Sequence, residues 1–108
     1  MAAPRCTRFL GTKLRALYQR RKGRDLFDLW QAHRARMVDA PAVARIFTHY
    51  MHAEHHPVSV TEFAINLAAK MKHAGFLSDT PPLLRPGVSF DPAEAHDWLT
   101  SEVIPHIL

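Results

Sequence analysis

Five charged side chains early in the chain have the types and spacing for phosphate chemistry: Lys13, Arg20, Arg24, Asp25 and Asp28. Phosphoryl or nucleotidyl transfer builds negative charge on phosphate oxygens, and a positioned lysine offsets it as a point cation. Lys13 stands off the apolar stripe of its segment, where such a ligand is within reach. Asp25 and Asp28 stand at i, i+3, so both carboxylates share one side of a helix. The same charges also have a purely structural reading. Arg24 and Asp28, at i, i+4, fit a surface pair worth roughly 0.3–0.5 kcal/mol. Asp25 near a helix start suits the helix dipole whatever else it does.

Two other constellations compete for attention. His49, His52 and His56 recur at i, i+3, i+7 beside Glu54 and His55, and imidazoles at that spacing can bind Zn2+. Pro57 follows at once, however, and cationic side chains near a helix C-terminus have a dipole explanation. No metal ligands are assigned on this basis. Trp30, Tyr50 and Trp98 have the chemistry to stack on bases, but all three fall on apolar stripes and are assigned to the core.

The elements that must position these groups are helical throughout. Leu10, Leu14, Leu17 and Tyr18 form the first stripe, and Leu26, Leu29, Trp30 and His33 form the second, with Gly23 as the turn between them. Asp39 caps a third helix with Pro41 in its first turn, and its stripe is Val43, Ile46, Phe47, Tyr50 and Met51. Pro57 ends it. Ser59 and Glu62 have capping-box spacing for a fourth helix, with Val60, Phe63, Ala64, Leu67, Ala68 and Met71 buried and Gly75 as its stop. Residues 76–90 read as a proline-rich loop packed through Phe76, Leu77, Leu83 and Leu84. Asp91 and Pro92 start a last helix that buries Ala95, Trp98, Leu99 and Val103 before Pro105 ends it. The expectation is all-α: one five-helix domain over residues 9–108, preceded by an irregular arm over residues 1–8.

A chain of 108 residues supports one small core. No apolar run reaches the length of a membrane span, so a soluble protein without a membrane partner is expected. The single cysteine, Cys6, has no internal partner for a disulfide, which fits a reducing cytoplasm. Charge is divided unevenly. Residues 1–36 carry ten Lys/Arg against two acids, while residues 37–108 carry four against eight, for a net charge of +4. A basic first third is the footprint expected of a phosphate-rich partner, a nucleotide or RNA, or else a solvated arginine-rich face.

The stretch from Thr12 through Lys13, Arg20, Arg21, Lys22, Arg24, Asp25 and Asp28 to Trp30 resembles the AbiEii/AbiGii toxin nucleotidyltransferases. Its pattern is a lysine on one helix, arginines at its end, and Arg-Asp-x-x-Asp opening the next. Phe63, Leu67 and Lys70, then Gly75 to Asp79 and Pro82 to Leu84, are similar to that family's C-terminal helical lobe, as is Ala95 to Leu108. The resemblance covers Phe9 to Leu108. It implies that Lys13 contacts nucleotide phosphates and that Asp28, or second Asp25, is the motif's acid. It further implies that Arg20 and Arg24 hold phosphate or orient that carboxylate. For an intact relative it implies an NTP and Mg2+, transfer of a nucleotide onto RNA such as tRNA, and an antitoxin partner. The Gly-Ser turn and acidic-x-acidic pair that hold Mg2+ in that superfamily do not occur in these 108 residues. The expectation is therefore a truncated or partial transferase, inactive alone and binding no cofactor tightly. Two alternatives stand beside it. One is a small basic helical module that binds RNA or protein without catalysis. The other is a structural remnant, able to dimerise through surface left by a missing domain, which bare apolar area on the Leu10–Tyr18 helix would favour.

Overall fold

The computed structural model describes residues 5–78 and 90–107, with side chains from residue 7 onward. The order is α1 (Arg5–Gln19), α2 (Gly23–Arg34), α3 (Ala40–Ala53), α4 (Val60–Met71), the single turn α5 (Ala74–Leu77) and α6 (Pro92–Glu102), then a 3-10 turn, Ile104–His106. All described elements are helical, as the period-3.6 patterning requires, and five of the α-helices exceed one turn.

Burial follows the stripes. Leu10, Leu14 and Leu17 of α1 meet Leu26 and Leu29 of α2 and Val43, Phe47 and Met51 of α3 in one core. α4 adds Phe63 and Leu67, and α6 with the turn after it adds Trp98, Leu99, Val103 and Ile104. Phe63 stacks edge-on against Phe47 at 5.2 Å between ring centroids, and Trp30 meets Trp98 at 6.0 Å. The first stripe is covered, so α1 does not present it as a bare apolar patch.

α1 packs most extensively on α3, and Gly11 sets their separation. A Cβ at Gly11 would lie 2.3 Å from Ile46 Cγ2 and 2.7 Å from Ile46 Cβ, closer than side chains tolerate. Glycine here lets two helices approach, rather than supplying a turn.

The caps hold where the sequence placed them. Asp39 accepts from the Ala42 N–H at 3.3 Å, and Asp91 from the Ala93 N–H at 3.0 Å. Ser59 and Glu62 exchange both capping-box bonds at 3.1 Å.

Several boundaries differ. α1 begins at Arg5, inside the stretch expected to be irregular, because Arg5 to Arg8 contain no breaker and Thr7 is buried. Gly23 is the first residue of α2 instead of a turn. α3 stops at Ala53, ahead of Pro57, through a left-handed residue: His55 has φ 58° and donates to the His52 carbonyl, while His56 donates to the Met51 carbonyl. That is the paired Schellman closure. α2 ends the same way at Arg36, also at φ 58°. His56 therefore leaves the helix and cannot share a face with His49 and His52. α4 ends at Met71, so Gly75 lies inside α5 and is not its stop. Ala68, expected inside, is exposed, and Lys70 is buried in that stretch instead. Phe76 is buried as expected, Leu77 is exposed, and the packing expected of Leu83 and Leu84 lies outside the described residues.

Candidate functional site

α1 carries Lys13, and Arg20 follows directly on its last residue, seven positions and two turns along the same side. α2 runs alongside and brings its first two turns, with Asp25 and Asp28, against that side. Asp25 is completely buried. Arg20 grips it with a fork: Nη2 donates to Oδ1 at 2.8 Å and to Oδ2 at 3.0 Å, and Nε to Oδ2 at 3.3 Å. Lys13 Nζ reaches the same Oδ1 at 3.5 Å and Asp28 Oδ2 at 2.9 Å. Asp28 is 38% exposed, so only one of the two carboxylates faces water. The hydrogen bond that Lys13 donates to Asp28 holds its amine above the ordinary pKa, against a desolvation that acts in the opposite direction. Lys13 is thus a firmly charged ammonium.

The structure brings together Lys13, Arg20, Asp25 and Asp28. Arg24 sits one residue before Asp25 on α2, exposed and engaged in a contact of its own. Lys13 and Arg20 border a shallow concavity of about 400 Å³ on the outer surface of α1, which Phe9 and Thr12 also line.

Lys70 is the part that side-chain type alone did not assign. It projects from α4, is 7% exposed, and donates to the Leu17 carbonyl and, at 2.6 Å, to the Tyr18 carbonyl. Asn66 Nδ2 joins it on the Tyr18 oxygen at 3.2 Å. These oxygens belong to the last turn of α1, where carbonyls lack helical partners and the dipole favours a cation. Burial pushes the Lys70 amine down to about 8, with Asp25 opposing and Arg21 reinforcing the shift. The clue was in the sequence: Lys70 falls at i+7 from Phe63 and i+3 from Leu67, on their apolar stripe. Its contacts fix the end of α1, the helix that carries Lys13 and leads into Arg20. Nearby, Arg21 Nη1 lies 2.7 Å from His73 Nε2, tying the α1–α2 turn to the end of α4.

Mg2+ does not fit the carboxylates present. Both Asp25 oxygens are taken by Arg20, with Lys13 on one of them, and the ligands converging on a divalent ion must be free oxygens. Among the described residues no group of three or more His, Cys, Asp or Glu side chains is placed to hold a metal.

A family model described as nucleotidyl transferase AbiEii toxin, Type IV TA system, matches residues 1–101. The chain belongs to the AbiEii nucleotidyltransferase toxin family. The match begins at residue 1, ahead of the Phe9 start expected from the motifs, and ends short of Leu108. No curated protein and no solved structure matches the chain. No described helix is long and apolar enough to cross a membrane.

Proposed function

We propose that this chain forms the nucleotide-phosphate face of a nucleotidyltransferase toxin, with Lys13 and Arg20 as the phosphate ligands and Arg24 supporting them from α2. The observation that carries the reading is the buried Asp25, which holds two cations side by side while leaving the outer surface of each open. An incoming triphosphate competes with Asp28, the half-exposed partner, for the Lys13 ammonium. Asp25 stays in place as the anchor. In transfer, an acceptor hydroxyl oxygen bonds to the α-phosphorus and gives up its proton to water, while the bond to the bridging oxygen breaks and pyrophosphate leaves. Lys13 and Arg20 offset the charge that collects on the departing phosphates. RNA is the proposed acceptor and an antitoxin the proposed protein partner.

These residues do not supply carboxylates free to hold Mg2+, so the reading includes that they transfer no nucleotide by themselves. Calorimetry with Mg2+-GTP and Mg2+-CTP tests both halves. Heat that disappears in Lys13→Ala supports the phosphate face. Absence of heat at millimolar ligand, or heat indifferent to Lys13→Ala, overturns it. Nucleotide transfer by the pure chain overturns the inactivity. A second reading, a basic module that binds RNA or protein without chemistry, draws on the absence of any acid from residues 1–24. Salt-sensitive RNA binding without nucleotide heat selects it.

A further inference from the structure

On the other flank of α1 lies a second cationic surface. At 100° per residue, Arg8 and Arg15 stand roughly 140° round the helix from Lys13 and Arg20. They face α3, and between the two helices runs a groove of about 570 Å³ lined by Arg8, Arg45, Ile46, His49 and Tyr50. Its charge is one-sided. Neither α1 nor α3 contains a carboxylate anywhere along its length. Of the two acids that flank α3, Asp39 caps its first turn by accepting from the Ala42 N–H at 3.3 Å, and Glu54 is engaged by Arg15 at 3.1 Å and Gln19 at 2.8 Å. Arg8 and Arg45 are exposed and have no carboxylate partner among the described residues. Arg15 also lies over the Tyr50 ring, 5.0 Å from its centroid, which builds a flat cation–aromatic platform on the groove wall.

We infer that this groove binds the phosphodiester backbone of a nucleic acid, at a site separate from the Lys13–Arg20 face. Two unpaired guanidinium groups present the planar forks that match phosphate oxygens, and an aromatic platform beside them suits an unstacked base. An acidic protein surface is a poorer fit, because protein interfaces bury an apolar centre and Ile46 is the one aliphatic side chain in the lining. The role of the groove as an acceptor site rests on the function proposed above, but the binding itself does not.

The test is fluorescence anisotropy of the full chain with a labelled 20-nucleotide RNA (an arbitrary probe length), titrated in salt, with a DNA of the same sequence alongside. Replacing both arginines, Arg8→Ala with Arg45→Ala, weakens binding roughly tenfold and makes the salt slope shallower by about two, one for each lost phosphate contact. Arg8→Lys with Arg45→Lys keeps the charge and most of the affinity, which separates lost contacts from lost fold. The alanine pair leaves the Mg2+-GTP heat unchanged, so failure here and failure of the phosphate face are distinguishable. Equal affinity for RNA and DNA assigns recognition to the backbone alone, and a preference for RNA adds the 2′-hydroxyl. Undiminished binding by the alanine pair overturns the proposal. So does absence of oligonucleotide binding at low salt, or poly-glutamate binding as tightly as RNA.

Discussion

Asp25 and Asp28 are the same residue type three positions apart, yet their removal should differ severalfold in cost. Asp25→Asn keeps the volume and takes away the charge. The carboxylate accepts from Arg20 at 2.8, 3.0 and 3.3 Å and lies 3.5 Å from Lys13, in a side chain with no exposed surface. Breaking a buried pair by altering one partner costs about 3–5 kcal/mol. Arg20 is half exposed and Lys13 partly so, and water can rehydrate both cations, which places the cost near the lower end, about 3 kcal/mol. For a domain of this size each 1 kcal/mol moves Tm by about 4–8 °C, so the variant should melt about 12–24 °C lower. Asp28→Asn breaks a single 2.9 Å contact at a 38% exposed side chain, and exposed pairs are worth no more than about 1 kcal/mol. Its melting point should fall by less than about 8 °C. Circular dichroism melts and urea titrations read both. Raising the salt separates them further, because screening erodes the exposed pair and spares the buried one. An Asp28→Asn variant as unstable as Asp25→Asn would refute the assignment of Asp25 as the anchor.

Three further expectations follow from the packing. The Lys70 pKa is lower in the folded chain than its ordinary 10.5, so folding disfavours its proton; the stability contribution rises as pH climbs from about 8 towards 10.5. Relative to a Lys70→Met variant, urea stability of the parent should therefore increase across that window by no more than about 1.4 kcal/mol per pH unit, and a flat or falling difference contradicts it. Gly11→Ala gains about 1 kcal/mol of helix propensity but forces the Ile46 Cβ aside, at about 1–3 kcal/mol, so a thermal melt should show net loss. Arg36→Gly and His55→Gly each relieve a left-handed residue at φ 58° and should stabilise by about 0.5–1 kcal/mol in denaturant titrations; a loss of stability in both contradicts it.

Local spacing sets the helices, most of their buried faces and three of the caps. It can do so because each rests on neighbours within one or two turns: the Leu10–Leu14–Leu17 spacing, Asp39 before Pro41, Ser59 with Glu62. The family was legible for the same reason, from a motif that lies within one helical hairpin. Part of the site was legible too. Asp25 stands four residues before Leu29, on its stripe, while Asp28 stands beside Leu29, about 100° round the helix, so burial of Asp25 was within reach of periodicity. What periodicity does not contain is the partner. Whether a carboxylate at a stripe edge meets cations or apolar atoms depends on how α2 is set against α1, and that angle is fixed by the whole core. The left-handed ends at Arg36 and His55 carry no glycine to announce them, and Gly75, which looked like a stop, fell after α4 had already closed. Lys70 is the clearest case. Its place on a stripe is local, but the Leu17 and Tyr18 carbonyls it satisfies come from α1, some fifty residues earlier in the chain, and only tertiary packing brings a buried ammonium to the end of another helix.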